Sequence, residues 1–339
     1  MKPLRVLALM HAGLVPPEGA TAADAHHSDW KTEYDVATTL QEMGHQVLAL
    51  GVAGELAPIR QAIREHQPQI AFNLLENFDD VVTWDQNVVA YLELMKLPYT
   101  GCNARGLLLG RDKAITKKLL AYHRIHVPAF ALFPRGRPVR RPRSLRFPLI
   151  VKSLTLDASI GISQASLVDS DERLAERVRF VHESTGTHAI AETYIEGREL
   201  YVGVIGNERL RAFPVWELHF ADLPPGVPRI ATERLKSNDA YRERHGITTE
   251  QARDLPEALA RRIQATCKRV YRVLHFSGYA RMDLRLTPEG EVYVLEANPN
   301  PQLAYGEDFA ESAERDGLEY EQLLERILRL GLAFDPARA

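Results

Sequence analysis

Arg281, Asp283, Glu296 and Asn298 punctuate an otherwise largely apolar stretch, and three of them offer hard oxygen ligands, two carboxylates and one amide. Such a set suits magnesium, which prefers oxygen and takes one or two carboxylates beside substrate phosphates. The element that would position them is a β-hairpin. Met282, Leu284 and Leu286 alternate with Arg281, Asp283 and Arg285, Thr287-Pro288-Glu289-Gly290 supplies turn chemistry, and Glu291 to Glu296 returns as a second strand. If those four residues form the whole loop, Leu286 faces Glu291 and Arg281 faces Glu296. Arg281, Asp283, Val294, Glu296 and Asn298 then share one face, and Met282, Leu284, Tyr293 and Leu295 the other. A three-residue loop with a bulge at Gly290 moves the pairing by one and sets Asp283 and Glu296 on opposite faces. The binary pattern favours the longer loop. Alone, the hairpin is equally well read as a solvated face with an Arg281–Glu296 cross-strand pair.

A chain of 339 residues exceeds what one core organises, so two or three packed subdomains are expected. Acidic residues exceed basic ones by 45 − 42 = 3 with no long run of either sign, which argues against a nucleic-acid or membrane-surface protein. Cys102 and Cys267 lie far apart without paired spacing, which fits a reducing cytoplasm and argues against a disulfide framework or a cysteine zinc site. The chain opens on strand-like Leu4–Met10, too short for a secretory signal, and no apolar run approaches membrane-spanning length. A cytoplasmic protein is expected.

Residues 1 to about 107 read as an open α/β unit. Strands at Leu4–Met10, Val47–Leu50 and Ile70–Phe72 alternate with helices around Lys31–Met43, Pro58–Glu65 and Gln86–Met95. Sheets of this kind bind ligands beyond the carboxyl ends of their strands, which points to His11-Ala-Gly-Leu14 and Asn73–Asp80. No Gly-x-Gly-x-x-Gly follows the first strand and no P-loop occurs, which weakens dehydrogenase and P-loop readings. Pro16–Ser28 reads as a mobile loop with His26 and His27 in solvent. Further on, Asp112 N-caps a helix through Lys113 to Tyr122, and Pro134–Arg143 is a basic, solvated connector. Pro148–Ser153 is a short buried strand whose Lys152, beside the small-residue loop Leu156–Ile162, can reach an anion. In the last helix Tyr320, Leu323, Leu324, Ile327 and Leu328 recur at core-packing spacing, with Gly331 as its stop.

In order along the chain stand Tyr99-Thr-Gly, Asp112-Lys113, Val151-Lys152, Ser159-Ile-Gly161, Glu192-x-Tyr-Ile, Glu199, Arg281-x-Asp283 and Glu296-x-Asn298. This series resembles the ATP-grasp superfamily, and within it the D-alanine–D-alanine ligase group, from Gly101 to about Leu330. The resemblance implies α/β and α+β architecture: an N-terminal open α/β (pre-ATP-grasp) domain over residues 1–107, a central ATP-grasp subdomain over 108–198 and a C-terminal one over 199–339. It implies that Lys113 and Lys152 hold the α- and β-phosphates, and that Ser159, Ile160 and Gly161 belong to the loop over the triphosphate. Glu192, Tyr194 and Ile195 match the adenine-reading hinge, and Glu199 the ribose-hydroxyl acceptor. Asp283, Glu296 and Asn298 match the magnesium ligands, with Glu296 between two ions and manganese as a substitute. Arg281 matches the arginine that steadies the acyl-phosphate, and Lys236 the lysine reaching the γ-phosphate. Surface charge is the bland reading of Glu192 and Glu199, and it loses weight within the series.

The implied activity is ATP-dependent ligation of a small carboxylate to an amine through an acyl-phosphate. Partners are then small molecules, with neither nucleic acid nor membrane; the last helix could also contribute to a homodimer face. An ATP-binding scaffold without turnover competes, and the retained lysines and metal ligands argue against it. The departures concern the substrate. Where the group has a Ser-Glu loop after its first strand this chain has His11–Glu18, and where it has a His-Gly loop this chain has Asn73-Leu-Leu-Glu76. Gln302 replaces the glycine after the metal asparagine. His11, Glu76 and Gln302 are therefore candidate substrate residues, and D-alanyl-D-alanine is not the expected product.

Overall fold

The computed structural model describes residues 1–156, 161–220, 229–232 and 239–338. Its N-terminal part alternates β1 (Arg5–His11), α1 (Ala22–Ala25), α2 (Lys31–Glu42), β2 (Gln46–Val52), α3 (Ala57–His66), β3 (Ile70–Asn73) and α4 (Asp85–Leu94). The strands run parallel in the order β2-β1-β3 because each return between them passes through a helix. Side-chain alternation then assigns neighbours. Leu7 and Leu9 join Ile59 of α3 and Val88, Val89 and Leu92 of α4, whereas Val6 joins Val36 and Leu40 of α2. The expected loop Pro16–Ser28 contains α1, begun by a capping box in which Thr21 and Asp24 bond each other's backbone N–H. His26 and His27 are exposed as expected.

The middle of the chain comprises α5 (Ala104–Arg111), α6 (Lys113–Tyr122), β4 (Phe130–Phe133), β5 (Leu149–Ser153), β6 (Leu167–Val168), α7 (Asp171–Thr185) and β7 (Ala189–Thr193). Asp112 caps α6 as read from sequence, accepting from the backbone of Ala114 and Ile115 at 2.9 and 2.8 Å. The strands form an antiparallel sheet in the order β4-β7-β5-β6, against which Leu174, Val178 and Val181 of α7 pack.

A larger antiparallel sheet follows. It is built from β8 (Arg198–Ile205), β9 (Arg211–Ala212), β10 (Trp216–Phe220), β11 (Ile247–Gln251), β12 (Tyr279–Leu286) and β13 (Val292–Pro299), ordered β11-β10-β8-β12-β13 with β9 on β8. The helices among and after these strands are α8 (Asp239–Arg244), α9 (Glu257–Val273), α10 (Asp308–Arg315) and α11 (Tyr320–Ala333). Ile263, Cys267, Val270 and Tyr271 place one stripe of α9 under Leu200, Val202, Met282 and Leu284. In α11, Leu323, Leu324, Ile327 and Leu328 are all fully buried and join Val6, Ile70 and Phe72 of the N-terminal sheet. Each such side chain stabilises the fold by roughly 1.5–3 kcal/mol, so the end of the chain fastens its beginning. Gly331 does not stop α11, which runs on to Ala333. A Cβ at Gly331 would lie 2.4 Å from the Tyr99 carbonyl oxygen, so the glycine permits helix and backbone to touch.

The hairpin departs from its expected register. Thr287 N–H donates to the Glu291 carbonyl at 2.9 Å, and Gly290 has φ +85°, so the loop is the three-residue Pro288-Glu289-Gly290. Leu286, Arg285 and Leu284 accordingly face Val292, Tyr293 and Val294. A regular continuation would send Glu296 to the Met282 face. A register shift between Asp283 and Leu284 inserts Leu295 as an extra residue, after which Asp283 faces Glu296 and Arg281 faces Asn298. Arg281, Asp283, Glu296 and Asn298 thus share one face as expected, by a different route, while Val294 joins the buried face and Tyr293 does not.

Candidate active site

On the large sheet, Arg281, Asp283, Glu296 and Asn298 share one face. Arg281 grips Asp283 with both arms of its guanidinium, Nε to Oδ1 at 2.8 Å and Nη2 to Oδ2 at 3.0 Å. Its Cζ lies 5.0 Å from the centre of the Tyr201 ring. Burial alone would lower the Arg281 pKa; Asp283, Asp308 and Tyr201 together outweigh it and the net shift is upward. Lys113, in the first turn of α6, sets its Nζ 2.7 Å from Glu296 Oε1 and donates to the Leu156 carbonyl at 2.7 Å.

On the small sheet, Ile150, Lys152, Ile190 and Glu192 occupy one face, because Ile150 lies opposite Glu192 and Lys152 opposite Ile190. Glu192 is 1% exposed. Its Oε1 is 3.2 Å from Lys152 Nζ and 3.3 Å from Lys117 Nζ. Lys117, one helical turn after Lys113, is fully buried and also donates to the Leu295 carbonyl at 2.6 Å. Burial lowers the Lys117 pKa to about 8, with Glu192 opposing that shift.

Between the sheets lies a cleft lined by Lys152, Glu192, Tyr194, Ile195, Leu295 and Glu296, among others. Glu199, Asp283 and Arg285 also line it. At its hinge end Tyr194 N–H donates to the Pro148 carbonyl at 3.0 Å. Gly197 has φ +150°, and a Cβ there would meet the Leu286 carbonyl oxygen at 2.1 Å, so the hinge is pressed onto β12. Arg285 Nη2 donates to Glu199 Oε2 at 2.6 Å and the Tyr201 hydroxyl to Oε1 at 3.0 Å. Each carboxylate oxygen can accept more than one bond, so both keep capacity toward the cleft. Gly161 has φ +71°, and its carbonyl accepts from Arg177 Nη2. Ser159, Ile160 and Lys236 lie outside the described residues.

Of the substrate candidates, His11 and Glu76 sit at the carboxyl edge of the parallel sheet and Gln302 follows β13. His11 Nδ1 accepts from Gly13 N–H at 3.2 Å, and its Nε2 is 3.7 Å from Asp80. Glu76 and Gln302 are exposed. Sequence reasoning missed Glu33 of α2 there and covered Asn77 only as part of the loop Asn73–Asp80. Glu33 is 4% exposed, and neither its Oε2 nor Asn77 Oδ1 has a hydrogen-bond partner among the described residues. Burial pushes the Glu33 carboxyl up to about 7, and nearby Glu76 adds to that. Lys31 donates to the Tyr305 carbonyl at 2.8 Å and Tyr305 N–H to Asp35 at 2.9 Å, which ties the first turn of α2 to the segment after β13. Lys117 was legible in principle, since residues four apart on a helix share a face; Glu33 carried no such signal.

Among the described residues no group of three His, Cys, Asp or Glu gathers as a metal site, because the third oxygen here belongs to Asn298. Two carboxylates directly opposite one another, with an amide on the same face, fit a hard cation that keeps water and phosphate ligands.

Two antiparallel sheets holding a cleft between them, behind an N-terminal parallel sheet, make up the ATP-grasp architecture. A crystal structure of a D-alanine–D-alanine ligase from Bacillus anthracis complexed with ATP shares this fold, with a TM-score of 0.74 over 97% of both chains at 21% identity. The family model described as the D-ala D-ala ligase C-terminus matches residues 120–329. A D-alanine–D-alanine ligase of Desulforudis audaxviator is 29% identical over 87% of this chain and 90% of its own length. One of Bordetella petrii is 30% identical over 72% and 71%. The chain belongs to the D-ala D-ala ligase C-terminus family, and it is an ATP-dependent ligase that forms a carbon–nitrogen bond. No helix among the described residues is long and apolar enough to cross a membrane.

Proposed function

We propose that the enzyme activates the carboxylate of an amino acid or other small acid with the γ-phosphoryl group of ATP and passes the acyl group to an amine. A carboxylate oxygen attacks γ-phosphorus and ADP leaves; the amine nitrogen then attacks the acyl carbon, inorganic phosphate leaves and the nitrogen loses its proton. The observation that carries this reading is the meeting of Lys152 and Glu192 with Asp283 and Glu296 across one cleft, with Lys113 paired to Glu296.

Lys113 and Lys152 offer compact ammonium charges to the α- and β-phosphates, and each already has a carboxylate that holds it in place. Glu192, Tyr194 and Ile195 receive the adenine and Glu199 the ribose. Gly161, with Ser159 and Ile160, and Lys236 serve the triphosphate. Arg281 stands beside the metal face with a planar fork suited to the acyl-phosphate oxygens and the tetrahedral oxyanion. Asp283, Glu296 and Asn298 would hold magnesium, two ions or manganese in their place, whose charge neutralises the phosphates. At the other end, His11, Glu76 and Gln302 border the substrate. The partnerless oxygens of Glu33 and Asn77 are acceptors, so what they call for is a donor such as an ammonium group.

Hydroxylamine tests the reading, because it traps an acyl-phosphate as a hydroxamate without the natural amine. With ATP, magnesium and pooled D- and L-amino acids, hydroxamate and ADP are expected together, and product mass then identifies the pair. ATP-dependent phosphorylation of a pool member into a stable product, with no hydroxamate, would overturn it.

A further inference from the structure

β13 is the outer strand of its sheet and carries an extra residue, so some of its backbone groups face away from β12. Two partners from outside the sheet take up groups of this stretch. Val294 N–H donates to the His126 carbonyl at 2.9 Å, and the Leu295 carbonyl accepts from Lys117 Nζ at 2.6 Å. The next residue, Glu296, meets Lys113 of the same helix at 2.7 Å. Helix α6 thus holds two consecutive residues of β13, one by its carbonyl and one by its carboxylate.

The geometry points to Lys117 as a positioning residue for the metal ligand Glu296, acting through the Leu295 carbonyl and, by way of Glu192, fixing Lys152 on the opposite sheet at the same time. Two observations support this. Lys117 is 1% exposed, and an ammonium so buried needs compensation, which the Leu295 carbonyl and Glu192 Oε1 provide. Those two partners belong to the two different sheets that face the nucleotide, so one side chain sets the spacing between the metal face and the phosphate lysine. A bulge held by a charged donor has a preferred shape; with an apolar group in that place the carbonyl turns toward another donor and Glu296 moves with it.

This inference rests on the reading of Asp283 and Glu296 as metal ligands, and the experiment separates the two. Binding of Mn2+ in the presence of saturating ADP is followed by loss of the free-ion resonance signal in the parent, Lys117→Met and Lys117→Arg proteins, with metal-free ADP affinity and unfolding midpoint measured alongside. Lys117→Met is expected to weaken Mn2+ binding about tenfold or more while metal-free ADP affinity changes less than about threefold. Lys117→Arg, which keeps a charged donor, is expected to stay within about threefold of the parent. Where Lys117→Met does not fold, Lys117→Gln, too short to reach the Leu295 carbonyl, is held to the same limits as Lys117→Met. Mn2+ affinity unchanged in the folded variant overturns the inference, as does a loss confined to metal-free ADP affinity, which would make Lys117 a phosphate ligand. A parent protein that binds no Mn2+ in the presence of ADP refutes the metal-site reading itself.

Discussion

The cleft between the antiparallel sheets and the carboxyl edge of the parallel sheet are built on opposite principles. In the cleft the charges are neutralised in place: Glu192 between Lys117 and Lys152, Lys113 against Glu296, Arg285 against Glu199. At the sheet edge, Glu33 and Asn77 present oxygens without partners among the described residues, and His11 meets Asp80 only at 3.7 Å on the surface. A buried polar group without a partner costs stability, and a structure retains it where a ligand completes it. On the proposed function, the contrast means that ATP handling is preorganised by the protein, whereas selectivity is left to groups that the substrate must satisfy.

The largest expected effect tests the cleft. Glu296→Ala should lower amino-acid-dependent ADP formation by roughly 10³-fold, since it removes an electrostatic contact made to transferring phosphate; a coupled ADP assay reads it, and a loss under tenfold would place the metal elsewhere. Next comes Glu192→Gln, which leaves Lys117 and Lys152 buried without their carboxylate. A destabilisation of about 3 kcal/mol or more in urea unfolding is expected, and a smaller one would mean that the charges are compensated by water.

The sheet edge should respond in the other direction. Glu33 has its folded pKa raised from 4.5 to about 7, so its contribution to stability is fully present below pH 4.5 and is lost as pH rises toward 7. Glu33→Gln should remove that slope and stabilise the ligand-free protein by about 3 kcal/mol at pH 8, with little change at pH 4. Unfolding midpoints across that range check it, and a destabilised variant at pH 8 would show that Glu33 has a partner. The smallest effects belong to the exposed residues. Glu76→Ala and Gln302→Ala should alter stability by less than about 0.5 kcal/mol, while raising the KM of the amino-acid substrate and leaving that of ATP unchanged.

Much of the cleft was legible because its residue types are chemically committed and its spacing is local. Lys113 follows an N-cap aspartate, Lys152 ends an apolar strand, and Asp283 and Glu296 stand in a recognisable hairpin. The hairpin also shows how a correct face can follow from an incorrect register: the loop is one residue shorter than the pattern favoured, and the Leu295 bulge restores the phase. Turn length and bulge are each worth one residue of register, and alternation alone cannot tell their sum from zero. Gly331 misled for a similar reason, since a helix-ending glycine and one that admits a neighbouring backbone look alike until Tyr99 is seen against it.

The sequence by itself determined the alternation of strand and helix, the caps, and the set of ionisable residues able to serve ATP, because these depend on neighbours within a few positions. Only the tertiary structure decided that Lys117 bridges two sheets, that Glu33 is buried near Glu76 and that the last helix closes over the first sheet. Those facts depend on contacts between distant parts of the chain, and burial, which sets the strength of every charge in the cleft, exists only once those parts have met.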